Sequence, residues 1–276
     1  MVGRASDGIA RAVSERPASR GRSDVIAASP SVTALIVTRN RPQLLLDALR
    51  SVEAQTAPAF EVRVGDDGDL PSGQSAPTPS PAMTVIHVAA GRAAIARNRT
   101  AAGARGEVLA FLDDDDLWRP DHLKGLAAAF ADPAVGFAYR DCAVIREAVG
   151  ADGARRDLDR LEIARDWDPE MMRDNDYLPP STWGVRRSLF EELGGFDESF
   201  EFSEDWDFVL RAARRVTPRR VPGVTVEVRL REEGNASADF GPGRIECLEK
   251  LAERHQLPRL EPRTFWEVAR HASARP

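Results

Sequence analysis

The chain has 276 residues, 42% of them hydrophobic and 30% charged, so it can bury a real core and is not disordered as a whole. Its formal net charge of −6 argues against a protein that binds nucleic acid through general positive charge. No apolar run approaches the roughly 18 residues of a membrane span, and the N-terminus lacks the apolar stretch of a secretory signal. We therefore expect a cytoplasmic protein, and peripheral attachment to a membrane is left open.

Two further compositional features concern origin and redox state. The abundance of Ala, Arg, Gly and Pro is typical of a bacterial gene of high GC content. Cys142 and Cys247 are too few for a disulfide framework, and we expect free buried thiols, which fits a reducing compartment.

The predicted elements follow from the spacing of apolar residues. Residues 1–30 are rich in Ser, Arg, Ala and Gly and are expected to form a disordered tail. For the folded part, the sequence predicts the following elements in chain order: strand 31–38, helix 42–55, strand 60–64, a Pro- and Ser-rich loop 69–82, strand 83–88, helix 92–104, strand 108–112 and helix 120–131. Beyond these the expectations are strand 137–145, a long flexible loop 150–180, helices 187–193 and 204–214, strand 221–230, and terminal helices 243–254 and 262–272.

Alternation of strands with helices predicts a largely parallel sheet covered on both faces, with its ligands beyond the carboxyl ends of the strands. Three polar clusters follow predicted strands, at residues 38–41, 66–67 and 113–116. The sequence therefore predicts one polar site at one edge of the sheet.

The segment Asp113–Asp116 is the first candidate for chemistry. Four adjacent carboxylates repel one another, and a hard divalent cation with oxygen ligands would relieve that repulsion. In an extended segment, Asp113 and Asp115 would point to one side and Asp114 and Asp116 to the other. A solvated acidic turn is the structural alternative, but the place of the cluster after a buried strand favours a site. The spacing does not fit a calcium-binding loop.

Three other clusters each have a functional and a structural interpretation, which are about even for Asp66 and Asp67, whereas the arginines taken alone favour the structural one. Asp66 and Asp67 could accept hydrogen bonds from a base or ribose, or could form a strand-ending turn. The arginines of the 92–104 helix could balance a diphosphate or form a solvated face; Arg92 and Arg99 share one helical face and Arg97 points elsewhere. Glu204 and Asp205 could supply a general base, or could stabilise a helix start.

Several catalytic classes lack their motifs. The sequence contains no GxSxG elbow, no GxGxxG after the first strand, no GxxxxGK[ST] and no Cys/His zinc spacing. Serine hydrolases, dinucleotide dehydrogenases, P-loop NTPases and structural zinc domains are therefore poorly supported.

Four motifs in order resemble the inverting glycosyltransferases of family 2, which have the GT-A fold, a Rossmann-like, mostly parallel α/β sheet flanked by helices. They are ALIVTRNRPQLLLDALRSVEAQ, EVRVGDDGD, GRAAIARNRTAAGARGEVLAFLDDDDLWRPDHL and GVRRSLFEELGGFDESFEFSEDWDFVLRAAR, and the resemblance covers roughly residues 33–237. The resemblance implies a glycosyltransferase domain over 31–240 followed by a helical extension over 241–276.

The same resemblance implies roles for individual residues. Asp205 would be the catalytic base, and Glu204, Trp183 and Gly184 would bind the acceptor. Asp115 would bind Mn²⁺ or Mg²⁺, assisted by Asp116. The residues expected to bind the nucleotide sugar are Thr38, Arg39, Asn40, Arg41, Asp66, Asp67, Arg92, Arg97, Asn98, Asp113 and Asp114. The implied partners are a nucleoside-diphosphate sugar and an acceptor hydroxyl on a small molecule, lipid-linked molecule or glycan; a homodimer is left open.

Two departures from the family pattern bear on these expectations. Many members carry a metal-binding His near the end of the catalytic domain, whereas VEVRLREEGNAS has none. Glu232 or Glu233 could substitute for it, or the metal could rely on Asp115, phosphate and water. The second strand motif ends in Gly68-Asp69, where many relatives have Gly-Ser. The alternative functions are a sugar nucleotidyltransferase and a non-catalytic nucleotide-sugar-binding protein.

Overall fold

The computed structural model describes residue 1 and residues 29–68, 83–150, 155–231 and 240–274. Nearly all of the predicted N-terminal tail and the predicted loop 69–82 lie outside these residues, as do Asp69, Glu232 and Glu233.

The described elements alternate between strands and helices in the first half of the chain. The strands are β1 (Val32–Thr38), β2 (Glu61–Asp66), β3 (Met83–His87), β4 (Val108–Asp113), β5 (Leu117–Trp118), β6 (Phe137–Val149), β7 (Arg155–Ile163), β8 (Trp183–Arg186) and β9 (Arg219–Arg231). The helices are α1 (Pro42–Glu53), α2 (Ala93–Ala101), α3 (His122–Phe130), α4 (Arg187–Glu192), α5 (Glu204–Ala213), α6 (Pro242–His255) and α7 (Phe265–Ser273). Short 3₁₀ helices span Met171–Arg173 and Pro180–Thr182.

These strands form one mixed, mostly parallel sheet in the order β3-β2-β1-β4-β8-β6-β9-β5, with β7 paired to β6. The first four strands in this order, β3, β2, β1 and β4, are all parallel to one another. Strand β8 runs antiparallel to both β4 and β6, whereas β6 and β9 are parallel. The predicted α/β class is confirmed.

Local sequence explains the first βαβ unit. The run VTALIVT is buried along most of its length, as expected for a strand covered on both faces. Pro42 stands at the start of α1, where its missing N–H costs no intrahelical bond. Leu45, Ala48, Leu49 and Val52 recur at helical spacing and form the buried face of α1.

An aromatic cluster joins the parallel half of the sheet to the helices that follow it. Trp183 has no exposed surface. Its ring lies 5.0 Å from those of Phe111 and Phe137 and stacks on Phe208 at 5.5 Å. Because Phe208 lies on α5, this packing fixes the start of α5 beside the end of β4.

A charged cluster fastens α6 to α5. The Asp207 carboxylate is fully buried and contacts Arg211 at 2.7 Å, His255 at 2.8 Å and Arg254 at 3.1 Å. Burial alone would raise the pKa of Asp207, but these partners hold the pKa below its usual value. Leu248 and Leu251 of α6 also belong to the main core, so α6 packs as part of the same body.

Most predicted elements are present within a few residues of their expected ends, and both cysteines are free and buried. The prediction of a loop over 150–180 is wrong for Arg155–Ile163, which form β7. The pairing of β7 with β6 explains the difference, because its exposed, charge-rich residues carry no apolar pattern of their own. The short strands β5 and β8 were also not predicted. In the described part of the chain, helices are too short or too polar to cross a membrane.

Gly65 on β2 lets α2 approach the sheet closely. A Cβ at this position would lie far inside van der Waals contact with the Thr100 side chain. We expect Gly65→Ala to lower the free energy of unfolding by about 1–3 kcal/mol through overpacking, measured by urea denaturation. Gly243→Ala on α6 is the matched control, since its Cβ would meet only ordinary contacts at 3.7 Å. Equal stability of the Gly65→Ala variant and the wild type would contradict this account of the packing.

Candidate active site

Strand register brings the predicted polar clusters to one edge of the sheet. Thr38 is the register partner of Asp66, and Val37 is the partner of Asp113. The three strand ends therefore lie side by side, as parallel strands require. The Thr38 hydroxyl donates a hydrogen bond to Asp114 at 2.6 Å, which joins the end of β1 to the acidic segment.

The acidic segment is a turn and not an extended strand, because the Asp116 amide donates to the Asp113 carbonyl at 3.1 Å. The four side chains therefore do not simply alternate as expected from the sequence. Asp114 faces Thr38 and Arg41, and Arg41 lies 3.3 Å from one of its oxygens. Burial and the nearby charge of Asp115 raise the pKa of Asp114 to about 6.

Asp115 lies between two guanidinium groups. One of its oxygens is 3.2 Å from Arg41 and 2.7 Å from Arg231, the last described residue of β9. Burial and the charge of Asp113 still raise the pKa of Asp115. The two arginines thus offset part of the repulsion within the acidic turn.

Asp116 points into the protein. Its two oxygens accept hydrogen bonds from the Ser181 hydroxyl at 2.6 Å and from the Arg229 amide at 3.1 Å. Asp116 is 4% exposed, and burial raises its pKa well above the usual value. These contacts fit a residue that anchors the turn better than one that reaches a ligand.

Arg97 connects the acidic turn to the start of α5. Its guanidinium donates to Asp113 at 2.6 Å and also to Glu204. Arg97 is buried, and the neighbouring carboxylates raise its pKa despite the opposing effect of burial. Arg97 lies on the face of α2 that packs against the start of α5.

Glu204 and Asp205 are the first two residues of α5, and the preceding Ser203 has a left-handed backbone with φ of 62°. Backbone strain of this kind in a non-glycine residue is often found at functional sites. Burial, opposed by Arg97 but reinforced by Asp205, raises the pKa of Glu204 to about 7. Burial also raises the pKa of Asp205, whose side chain accepts a hydrogen bond from the Trp206 amide.

The acidic turn and the first residues of α5 line the same open pocket, which has a volume of about 300 Å³. From the sequence-predicted set it is lined by Arg97, Asp113, Asp115, Asp116, Glu204 and Asp205. Its other walls come from the chain after β7, from α5, α6 and β9, and from the segment around α7; they include Asp174, Asn175, Asp176, Phe202, Arg244, Arg263 and Phe265.

Asp66 and Asp67 hold the loops at the ends of β2 and β3, and neither residue lines the pocket. Asp66 accepts a hydrogen bond from the Gly68 amide, and Asp67 accepts from the amides of Ala90 and Gly91 before α2. These contacts shape the edge of the sheet and leave Asp66 in line with Thr38.

Arg39, Asn40, Arg92 and Asn98, which the sequence also assigned to the nucleotide site, do not line the pocket. The side chain of Asn98 bonds to both the amide and the carbonyl of Phe196, and Arg92 donates to the Glu198 carbonyl. Arg39 and Asn40 are exposed, and Asn40 has a left-handed φ of 56°.

The predicted acceptor residues Trp183 and Gly184 are buried in the core and do not line the pocket. A Cβ on Gly184 would meet Val108 and Phe130 at 3.2–3.3 Å. Their packing supports the wall of the site from behind and offers an acceptor no open surface there.

Sequence reasoning missed the contributions of Arg231, Ser181 and Asp176. Asp176 lines the pocket, one of its buried oxygens has no hydrogen-bond partner, and burial together with Asp205 raises its pKa well above the usual value. Each of these residues lies far along the chain from the acidic turn and outside any motif. The one sequence signal that could have indicated a role for Arg231 is its place in the stretch where the family pattern predicts a metal-binding His.

The residues present do not form a ready site for a divalent cation. Asp115 is paired with two guanidinium groups, Asp113 with Arg97, and both oxygens of Asp116 accept hydrogen bonds. Within the described residues there is no group of three His, Cys, Asp or Glu side chains arranged to hold a metal. A metal ion at Asp115 would have to displace guanidinium groups or lie against them.

Comparison with known proteins shows the family of this chain. Residues 33–194 match the family described as Glycosyl transferase family 2. The uncharacterized glycosyltransferase YwdF of Bacillus subtilis is 32% identical over 237 residues, which cover 85% of this chain and 87% of that protein. The O-antigen biosynthesis protein RfbC of Myxococcus xanthus is 30% identical over 155 residues, 55% of this chain but only 11% of RfbC.

A crystal structure of S. aureus TarS residues 1–349 superposes with a TM-score of 0.53 at 18% identity, covering 81% of this chain and 64% of that one. At this identity the likeness concerns the fold alone. The family match spans more than half of the chain, and YwdF aligns over most of both proteins. The chain belongs to glycosyl transferase family 2, is a glycosyltransferase and has the GT-A fold.

Proposed function

We propose that the protein transfers one sugar from a nucleoside-diphosphate sugar to an acceptor hydroxyl, with inversion at the anomeric carbon and Asp205 as general base. The observation that carries the proposal is the bridge of Arg97 between Asp113 and Glu204, which puts the donor edge of the sheet and the first turn of α5 into one pocket.

The donor would bind at the carboxyl ends of β1, β2 and β4, where ligands of such sheets lie. Thr38 and Asp66 stand there side by side, and Asp113 and Asp115 follow β4. Carboxylates at these positions can accept hydrogen bonds from ribose hydroxyls and the base.

The acceptor would enter from the side built by residues 174–180, α6 and the segment leading into α7, which line the rest of the pocket. As its hydroxyl oxygen bonds to the anomeric carbon, the bond from that carbon to the diphosphate breaks, and the hydroxyl proton passes to Asp205. An aspartate is a far weaker base than an alkoxide, so proton transfer must accompany bond formation.

The resemblance to this family implies a divalent ion, and Asp115 is the carboxylate expected to bind Mn²⁺ or Mg²⁺. In this chain two guanidinium groups already pair with Asp115. The proposal therefore assigns no step to a metal ion.

The products separate this proposal from the two alternative functions. A glycosyltransferase releases a nucleoside diphosphate, whereas a sugar nucleotidyltransferase releases pyrophosphate, and a binding protein releases neither. A thermal-shift screen of UDP-, GDP- and dTDP-sugars would identify the donor, and slow hydrolysis of that donor would then provide a reaction that needs no identified acceptor.

We expect Asp205→Asn to keep donor binding and to lose about 10²–10⁴-fold in the rate of donor hydrolysis, because the amide cannot take the proton. Binding is measured by calorimetry with the donor, and turnover by release of the nucleoside diphosphate. Asp159→Asn, which removes an exposed carboxylate on β7, is the control. Hydrolysis by Asp205→Asn at the wild-type rate would refute the base assignment.

The pH dependence follows from the raised pKa values of Glu204 and Asp205. An acid with a raised pKa keeps its proton to higher pH, so the proton-accepting form becomes populated only as pH rises. Because the two carboxyls titrate as a pair, we expect hydrolysis to increase with pH and to level off above about pH 7, near the pKa of Glu204. A hydrolysis rate that does not change from pH 5 upwards would contradict the raised pKa values of Glu204 and Asp205.

A further inference from the structure

Four adjacent carboxylates raise the question of what neutralises their charge. The answer among the described residues is a set of three arginines from distant parts of the chain. Arg97 pairs with Asp113, Arg41 pairs with Asp114 and Asp115, and Arg231 pairs with Asp115. The relief of repulsion that the sequence assigned to a divalent ion is therefore supplied by fixed side chains.

Arg231 is held in place by β9. Two residues earlier, Arg229 pairs with Glu147 at 2.8 Å and Glu227 at 2.6 Å, and its amide donates to Asp116. Strand β9 is thus tied to the acidic turn at Asp116, and its last described residue meets Asp115 at 2.7 Å. The Arg231 side chain is only 13% exposed, so this ion pair belongs to the built structure of the site.

A guanidinium at this position has the chemistry that a leaving diphosphate requires. Arginine carries a permanent charge and five N–H donors in a planar fork, so one group can hold a carboxylate on one edge and a phosphate on another. A divalent ion here would face repulsion from two guanidinium groups and would compete with both for Asp115.

We infer that Arg231 and Arg41 supply the positive charge beside Asp115 that a bound nucleoside diphosphate needs, and that the chain binds this diphosphate without a divalent metal ion. The inference rests on the proposed function, since it concerns the proposed donor side, where Asp115, the partner of both arginines, lines the pocket. It adds Arg231 to the donor site as a diphosphate-binding residue and removes the requirement for Mn²⁺ or Mg²⁺.

The first experiment measures calorimetric binding of UDP, GDP and dTDP to the full chain, once with excess EDTA and once with Mn²⁺. We expect at least one nucleotide to bind with a Kd that differs less than about threefold between the two conditions. Binding that tightens tenfold or more with Mn²⁺ overturns the inference while leaving the proposed function intact. No binding of any of the three in either condition overturns the proposed function, and the inference with it.

The second experiment replaces the charged side chain of Arg231. We expect Arg231→Met to weaken metal-free binding of the same nucleotide about 10- to 100-fold, the loss typical of a hydrogen bond to a charged group. Arg231→Lys keeps a point charge without the fork and should retain part of the affinity. Arg219→Met, which removes an exposed arginine at the other end of β9, is the matched control and should bind like the wild type.

Mn²⁺ provides a further readout on Arg231→Met. Removing one guanidinium from Asp115 should let Mn²⁺ strengthen nucleotide binding in this variant, an effect that a purely structural defect would not produce. Wild-type affinity of Arg231→Met in EDTA overturns the role of Arg231. Circular dichroism checks folding, and if Arg231→Met does not fold, the wild-type comparison in EDTA and Mn²⁺ decides the inference.

Discussion

The site depends on one buried cation, the guanidinium of Arg97. Its partners Asp113 and Glu204 come from the end of β4 and the start of α5, and 107 residues separate Arg97 from Glu204 along the chain. A buried charge is tolerated only when it is paired, so Arg97 requires both acids to be near. The same requirement gives the pocket its two sides, one at the sheet edge and one at α5.

Ion pairing also partly neutralises the acidic turn. Asp114 and Asp115 would repel each other strongly if they were only solvated, but Arg41 lies within 3.3 Å of both. Fixed guanidinium groups are part of the folded chain, whereas a metal ion exchanges with solvent. If the proposed donor binds here, the charged groups are already in place before it arrives, which lowers the cost of reorganisation on binding.

The parallel and the antiparallel parts of the sheet form different sides of the site. The parallel strands β1, β2 and β4 end at the edge of the sheet that we propose binds the donor, while strand β8, antiparallel to β4 and β6, joins them to β6 and β9. The family match ends at residue 194, before Asp205 and Arg231. The later part of the chain, with β9, α6 and the segment around α7, completes the pocket.

The sequence by itself determined the βαβ order, the core faces and the clustering of Thr38, Asp66 and Asp113 at one edge, because apolar periodicity and strand direction are local properties of the chain. It did not determine β7, whose strand form depends on pairing with β6. The contact of Arg97 with Glu204 and the contact of Arg231 with Asp115 were decided only by tertiary structure. Ion pairs between residues more than 100 positions apart leave no spacing in the sequence, since they exist only once the sheet and its helices have packed.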